Sequence, residues 1–186
     1  IRGNKGVFGG DFDYNKIQMS VNKPIFLSNF GILRTNFEFG KVFDPVPLPL
    51  LNPISADQTF SVVPNSFSLL NYYDFVTDTY FTAHFEHHFN GFILNRIPLI
   101  KKLKWRSLLL YRFAYGSISQ KNIDMNRSFI QYAAPSNKVY SEYGFGIENI
   151  GYGNFRPFRV DFIWRTDFTN VNGKESPGFG VRFGFF

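Results

Sequence analysis

The C-terminal ten residues alternate between apolar and small or polar side chains, and this pattern constrains the fold more than any other. One phase holds Phe179, Val181, Phe183 and Phe185, and the other holds Gly180, Arg182 and Gly184. Successive side chains of a strand project to opposite sides, so the alternation predicts a strand whose apolar face is formed by the first of these two phases. The sequence ends on an aromatic pair, Phe185 and Phe186, with Phe186 out of phase. Such an ending is typical of the closing strand of a transmembrane β-barrel, in which these two residues would form the C-terminal assembly signal.

Composition favours strands over helices as the elements that would cross a membrane. The 186 residues include 25 Phe, 10 Tyr and 2 Trp, yet the mean hydropathy is only −0.15. No segment approaches the roughly 18 to 20 consecutive apolar residues of a spanning helix. Short alternating strands keep the average polar while they enrich aromatic residues. A soluble sandwich or lipocalin-like domain with an aromatic core remains the alternative.

Seven segments show strand periodicity. They cover residues 16–21, 33–43, 73–89, 109–116, 142–148, 158–168 and 179–185. Connections 44–71, 120–138 and 169–177 are long, whereas 22–30 and 151–156 are short. This alternation is typical of barrels with long outer loops and short periplasmic turns, although connection 89–104 is longer than expected. Single-chain bacterial barrels have an even strand number, so the pattern predicts an all-β, antiparallel C-terminal portion of a larger barrel, spanning residues 1–186.

The alternation assigns each strand one lipid-facing and one lumen-facing side. The predicted lipid-facing residues are Phe37, Phe39, Phe81, Phe85, Phe113, Phe145, Phe162, Trp164, Phe179, Phe183 and Phe185. The predicted lumen-lining residues are Arg34, Glu38, His84, Glu86, Arg112, Glu142, Glu148, Arg159, Asp161, Arg165 and Arg182. Their mixed signs favour internal salt bridges over a strongly ion-selective pore.

Two connections have unusual sequences. Residues 44–53 carry four prolines and several leucines, which excludes a strand interior and predicts a loop that packs on its own barrel rim, folds into the lumen or docks on a partner. Residues 90–105 place apolar residues near helical spacing beside lysines, ahead of Trp105. This indicates either a short interfacial amphipathic helix or a plain structured turn.

The sequence nominates no catalytic residues, no cofactor and no metal. His84, Glu86 and His88 share a strand face, but their spacing differs from that of helical zinc motifs, which favours a hydrogen-bonded network over a metal site. No nucleophile elbow, P-loop or dinucleotide-binding glycine motif is present. The net charge of +6 is scattered, so nucleic acid is not a predicted partner.

Four segments carry a family resemblance: residues 71–80, 87–104, 142–150 and 159–165. They resemble the C-terminal barrel of Gram-negative outer-membrane proteins of unassigned function, which carry an N-terminal carboxypeptidase-regulatory-like domain. The family is similar to the outer-membrane assembly and translocation barrel superfamily, so the resemblance implies a sixteen-stranded barrel. It also implies that loop 44–71 lies where that superfamily folds a loop into the lumen.

These observations predict a non-enzymatic protein of the Gram-negative outer membrane. Its expected role is that of a scaffold or accessory subunit in envelope protein assembly, secretion or surface display. The expected partners are the lipid bilayer and other outer-membrane or periplasmic proteins. A passive or substrate-specific channel is the alternative function.

Overall fold

The chain folds around one antiparallel sheet. The structure is a computed structural model that describes residues 1–5, 11–127, 133–135, 138–166, 170–171, 174–175 and 177–185. Its strands are β1 (Arg2–Gly3), β2 (Tyr14–Phe26), β3 (Ile32–Val42), β4 (Asn52–Pro53), β5 (Val76–Thr77), β6 (Thr79–His88), β7 (Arg106–Ser117), β8 (Tyr140–Tyr152), β9 (Phe155–Thr166), β10 (Asn170–Val171), β11 (Lys174–Glu175) and β12 (Phe179–Phe185). Eight of them form a sheet in the order β1-β2-β3-β6-β7-β8-β9-β12.

The predicted all-β, antiparallel architecture is confirmed. The seven longer strands of the sheet are β2, β3, β6, β7, β8, β9 and β12, and they match the seven predicted segments in order. Each pairs antiparallel with its neighbour in the sheet. Within the described residues the sheet is open, because β1 and β12 lie at opposite edges. Closure into a barrel and membrane insertion therefore stay predictions. Residues 167–169 and Phe186 lie outside the described residues.

The prediction of one continuous strand over residues 73–89 is wrong at its start. Strand β6 begins only at Thr79. Tyr73 adopts a φ of 63°, in the left-handed region, so no strand begins there. A bend at Asp78 then separates β5 from β6. Phe75 is buried in an apolar cluster instead of sharing the face of Phe81. Strand β5 follows and pairs with β4, outside the main sheet.

The connections differ at the two ends of the sheet. At one end, which we call the turn end, lie residues 27–31, 89–105 and 153–154; at the other, the loop end, lie residues 43–78, 118–127, 133–135 and 138–139. Connection 89–105 contains a 3-10 turn (Leu94–Arg96) and the four-residue helix α1 (Pro98–Lys101). Of the two alternatives for this connection, the structure thus contains both a structured turn and a short helix, and a position at the membrane interface stays a prediction. Helix α2 (Gln120–Met125) and the 3-10 turns Ser28–Phe30 and Leu48–Leu50 complete the fold. None of the described helices has the length and apolar character needed to cross a membrane.

The two faces of the sheet have opposite character. The outer face carries cross-strand aromatic pairs such as Phe145 with Phe162, whose ring centroids are 5.2 Å apart, and Trp164 with Phe179 at 4.9 Å. Cross-strand aromatic pairs stabilise a sheet beyond the area they bury. The inner face carries the charged residues and is covered by residues from connection 43–78. The fold therefore buries its polar side and exposes its aromatic side.

Candidate functional site

The candidate site is the inner face together with the segment that covers it, residues 43–75, which we call the inner loop. Leu69 packs in one buried cluster with Leu108, Leu110 and Ile163 of β7 and β9. A second cluster joins the inner loop to the sheet through Ala114 and Tyr140; its loop members are Ile54, Phe67, Leu70 and Phe75. These contacts place the loop on the sheet face and not only on its rim. They explain why a connection rich in leucine and proline is not left in solvent.

Glu142 is the principal polar anchor of the inner loop. Its carboxylate accepts hydrogen bonds from the backbone N–H groups of Ser68, at 2.9 Å, and Leu69, at 2.7 Å. The Tyr140 hydroxyl donates a further bond at 2.7 Å. The side chain is fully buried. Because an unpaired charge would be very unfavourable there, the loop backbone and the carboxylate satisfy each other.

Arginines on three strands hold the carbonyl side of the same loop segment. Arg112 donates at 2.8 Å to both the Ser66 carbonyl and the Ser68 hydroxyl. Arg165 donates to the Leu69 carbonyl at 2.7 Å, and Arg182 donates to the Ser68 carbonyl. The strand register explains this convergence, since Arg112 and Arg165 are both direct cross-strand partners of Glu142. The row formed by Arg112, Glu142 and Arg165, in which the charge alternates, therefore holds residues 66–69 in place.

The inner loop also pairs with the edge strand β12. Val62 donates its backbone N–H to the Phe183 carbonyl at 2.8 Å, and the Phe183 N–H donates to the Phe60 carbonyl at 2.7 Å. An unpaired strand edge presents free N–H and C=O groups, and this contact satisfies one such pair. This contact was not predicted, because an isolated bridge leaves no periodic pattern in the sequence.

A second charged network lies towards the turn end. Arg159 donates to both carboxylate oxygens of Glu86, at 2.7 and 2.8 Å, and to both oxygens of Asp161, at 2.6 and 2.7 Å. His88 continues the network, with Nε2 2.7 Å from Glu86 and Nδ1 2.9 Å from Glu148. Gly146 makes room for it, because a Cβ there would lie 2.2 Å from Asp161 Oδ1. The network joins strands β6, β8 and β9 on one face.

The predicted charged set lies on the inner face of the sheet. Seven of its members are buried: His84, Arg112, Glu142, Arg159, Asp161, Arg165 and Arg182. Glu38, Glu86 and Glu148 are half-buried and Arg34 is exposed. Because the pairs at Arg159, His88 and Arg112 join opposite charges, the predicted internal salt bridges are present. Whether this face lines a lumen stays a prediction.

The predicted aromatic set lies on the outer face. Phe39, Phe81, Phe145, Phe179, Phe183 and Phe185 are exposed, and Phe37, Phe85, Phe113, Phe162 and Trp164 are half-buried. Of the predicted assembly signal, Phe185 belongs to β12, whereas Phe186 lies outside the described residues. Contact with lipid stays a prediction for the whole set.

His84 does not join Glu86 and His88 in one cluster. Its ring packs against Phe67 of the inner loop, with centroids 4.8 Å apart. In the part of the chain that the structure describes, no group of three or more His, Cys, Asp or Glu side chains is arranged to hold a metal ion. Instead, Arg159 donates hydrogen bonds to both carboxylate oxygens of Glu86, so its guanidinium cation competes with any metal ion for that carboxylate.

Asp78 organises the loop end and was not predicted from the sequence. Its carboxylate accepts bonds from the Ser119 N–H at 2.7 Å and from the Asn122 side chain at 3.0 Å. Burial raises the pKa of Asp78, but the hydrogen bonds from Ser119, Asn122 and Thr79 outweigh it, so the pKa lies below its ordinary value. Asn122 in turn accepts the Val46 N–H at 2.9 Å. Asp78 thereby connects helix α2 to the start of the inner loop.

Fold and site together define a class: an antiparallel β-sheet protein whose charged inner face is covered by its own loop and whose aromatic outer face is exposed. Residues 1–121 match the model of a family of unknown function (DUF5686), C-terminal domain. The chain belongs to that family. No curated protein and no solved structure matches the chain.

Proposed function

We propose that this chain is part of a non-enzymatic outer-membrane β-barrel of a Gram-negative bacterium, with its inner loop as a lumen plug. Its role is that of a scaffold or accessory subunit in envelope protein assembly, secretion or surface display. The observation that carries the proposal is the inversion of polarity, with buried charges under the loop and exposed aromatic rings outside. A water-soluble sheet normally presents the opposite arrangement.

The outer face supports contact with lipid. Exposed apolar side chains continue from Met19 on β2 through Phe81 and Phe145 to Phe183 on β12. Soluble monomers rarely expose contiguous apolar patches of more than a few hundred Å². Strands β6 to β9 have 10 to 13 residues, and a tilted membrane strand needs roughly 9 to 11.

The way in which the inner loop is held favours a scaffold function over an open-pore function. Buried charge-assisted bonds from Glu142, Arg112 and Arg165 hold it to three neighbouring strands. Such bonds are about twice as strong as bonds between neutral groups, and leaving any of these groups unpaired would be unfavourable. A plug fixed in this way blocks passage, so the function would lie in contacts with other envelope proteins.

A channel is the second candidate, and one cavity favours it. A space of about 400 Å³ remains between inner-loop residues Val62 to Asn65 and the inner face, and it is lined by Arg34, His84 and Glu86 among others. A polar cavity beside a plug is what a gated path for a small solute would need. The two functions differ in whether ions pass through the resting protein.

Conductance separates the two functions. The native protein, purified from detergent-solubilised outer membranes, is inserted into planar bilayers and recorded over a range of voltages. The scaffold predicts no stable open level, whereas a stable open pore would refute it in favour of the channel. Co-purification from the same membranes then identifies bound envelope proteins. Recovery of the protein in the aqueous fraction without detergent would contradict both functions.

A further inference from the structure

A cavity at the turn end gathers three arginines, and no described residue of the inner loop lines it. It has a volume of about 310 Å³, and its lining includes Arg34 from β3, Arg106 from β7 and Arg156 from β9. His88 and Glu148 complete its charged lining. Three guanidinium groups from three different strands therefore converge on one space of a few hundred Å³, the size range of small-ligand sites.

The positive charge of this cavity is not neutralised by the protein. Glu148 is its one carboxylate among the described lining residues, and that carboxylate is already bonded to His88 at 2.9 Å. Within the described residues, the side chains of Arg34 and Arg106 make no hydrogen bond and no ion pair, although both backbones are paired in the sheet. This contrasts with Arg159 on the same face, which donates hydrogen bonds to the carboxylate oxygens of Glu86 and Asp161.

Arg156 is positioned with donors to spare. It donates through Nε to the Gly153 carbonyl at 2.8 Å and through Nη1 to the Leu103 carbonyl. A guanidinium has five N–H donors, so most of its capacity remains after these bonds. The two backbone contacts orient its planar fork without neutralising its charge. A pre-oriented fork loses less entropy when it binds an anion.

The surroundings strengthen the positive potential. Residues 89–106 contain Arg96, Lys101, Lys102 and Lys104 in addition to Arg106, and they contain no Asp or Glu. A cleft with walls of one charge sign concentrates ligands of the opposite sign. The same segment carries exposed apolar side chains, among them Leu99 of α1, which is 80% exposed, and Ile97 and Leu103. The Leu103 carbonyl accepts a hydrogen bond from Arg156, so this cationic and apolar segment contacts a residue of the cavity lining.

We propose that this cavity is a phosphate-binding site with Arg34, Arg106 and Arg156 as its ligands. A phosphate monoester carries nearly two negative charges and three acceptor oxygens, so it matches three guanidinium groups better than a single carboxylate does. Two sources share this chemistry: a soluble phosphate monoester and the monoester headgroup of phosphatidic acid, an anionic phospholipid. The exposed apolar residues of connection 89–105 would contact the acyl chains in the second case.

The test titrates the purified full chain in a maltoside detergent, which carries no phosphate, by isothermal calorimetry. One arm uses glycerol 3-phosphate, and the other uses dihexanoyl-phosphatidic acid, which is also a phosphate monoester, below its micelle concentration. The double variant Arg34→Gln/Arg106→Gln removes two ligands that the fold does not use, so its thermal unfolding should match that of the wild type. We expect it to weaken binding by at least about tenfold in whichever arm binds, because charge-assisted hydrogen bonds are lost.

Arg127→Gln is the matched control, since it removes an exposed arginine at the loop end that pairs with Asp124 at 3.0 Å. It should leave both titrations unchanged. Binding in one arm identifies the source of the phosphate, and binding in both shows that the phosphate alone suffices. The proposal is overturned if neither probe binds at millimolar concentration, or if the double variant and the control behave alike. Because the assay reads neither conductance nor partners, it can fail while the scaffold function stands, and the reverse also holds.

Discussion

The carboxylate of Glu142 on β8 accepts the backbone N–H of Leu69 at 2.7 Å across 73 residues of sequence. The same carboxylate lies 3.7 Å from the Arg112 guanidinium, which itself holds the carbonyl of Ser66. The loop backbone thus bonds both to the negative charge of Glu142 and to the positive charge of Arg112, which lie on neighbouring strands. A change at Glu142 should consequently act on the inner loop before it acts on the sheet.

Glu142→Gln should loosen the inner loop. In the wild type, one carboxylate oxygen of Glu142 accepts from Ser68, and the other accepts from Leu69 and Tyr140. Glutamine keeps the shape of glutamate but has only one acceptor oxygen, so it cannot keep all three bonds. A buried N–H left without an acceptor costs about 1–3 kcal/mol. We expect faster proteolytic cleavage within residues 43–75 and faster amide exchange at Leu69.

Glu38→Gln is the control for this change, because the Glu38 carboxylate accepts a hydrogen bond from Asn36 of its own strand. It removes one negative charge from the same face and should leave the cleavage rate of the inner loop near that of the wild type. Equal effects of the two variants would contradict the role of Glu142 as the loop anchor.

Arg159→Met should destabilise the sheet strongly. The substitution keeps an unbranched side chain but leaves the carboxylates of Glu86 and Asp161 without their shared cation. Breaking a buried ion pair from one side typically costs about 3–5 kcal/mol. Chemical unfolding in urea should show this loss in the free energy of unfolding. Adding Glu86→Gln and Asp161→Asn should restore part of it, because the unpaired charges are then removed.

The exposed pair of Arg127 and Asp124 offers the contrast. Arg127 is 81% exposed, and its bond to Asp124 at 3.0 Å spans three residues near α2. Exposed ion pairs contribute about 0–1 kcal/mol, so Arg127→Met should change the free energy of unfolding little. If Arg159→Met is equally mild, the buried network has no structural role.

The strands could be predicted from the sequence because their information is local. In β9 the alternation of Arg159, Asp161 and Arg165 with Phe162 and Trp164 is visible without any knowledge of neighbouring strands. The same period assigned the charged and aromatic residues to opposite faces. The register between strands was not predicted, so the row that sets Glu142 between two arginines could not be foreseen.

The inner loop could be predicted only as a packed segment, not in its path. Its prolines excluded a strand, but its anchors lie on β7, β8 and β9, far away in sequence. Phe75 shows the cost of using alternation alone. Its spacing from Phe81 fits one strand face, yet a bend at Asp78 separates the two residues, and Phe75 lies in a buried cluster of the inner loop.

Acidification should release helix α2 from the loop end. The pKa of Asp78 is below its ordinary value in the folded chain, so its bonds stabilise the fold at pH above the unfolded value of about 4. That stabilisation is lost as the pH falls through the lower, folded-state pKa. The protection of residues 119–126 against hydrogen exchange, relative to the intrinsic rate at each pH, should therefore fall below about pH 4.

Asp78→Asn should reproduce the acid state at neutral pH, because a neutral amide oxygen is a weaker acceptor for Ser119 and Asn122 than a carboxylate oxygen, and the amide NH2 group cannot accept from Thr79. In this variant, exchange of α2 should lose the acid-dependent step caused by Asp78. Asp44→Asn removes another carboxylate of the loop end, one that accepts from Asn15, and serves as the control. An acid step of unchanged size in Asp78→Asn would assign the transition to another group.

Phe145→Arg tests whether the outer face contacts lipid. Phe145 lies near the middle of β8 on the outer face and is 43% exposed. Phe145→Ala removes the same contact with Phe162, so the difference between the two variants isolates the charge. For a lipid-facing residue near the bilayer midplane, arginine should be less stable than alanine by about 2–4 kcal/mol. At a water-exposed position the difference should stay within about 0.5 kcal/mol.

The measurement is the free energy of unfolding in lipid vesicles. The matched pair is Phe60→Arg and Phe60→Ala, at an exposed residue of the inner loop. A small difference at both positions would place the outer face in water and favour a soluble sheet.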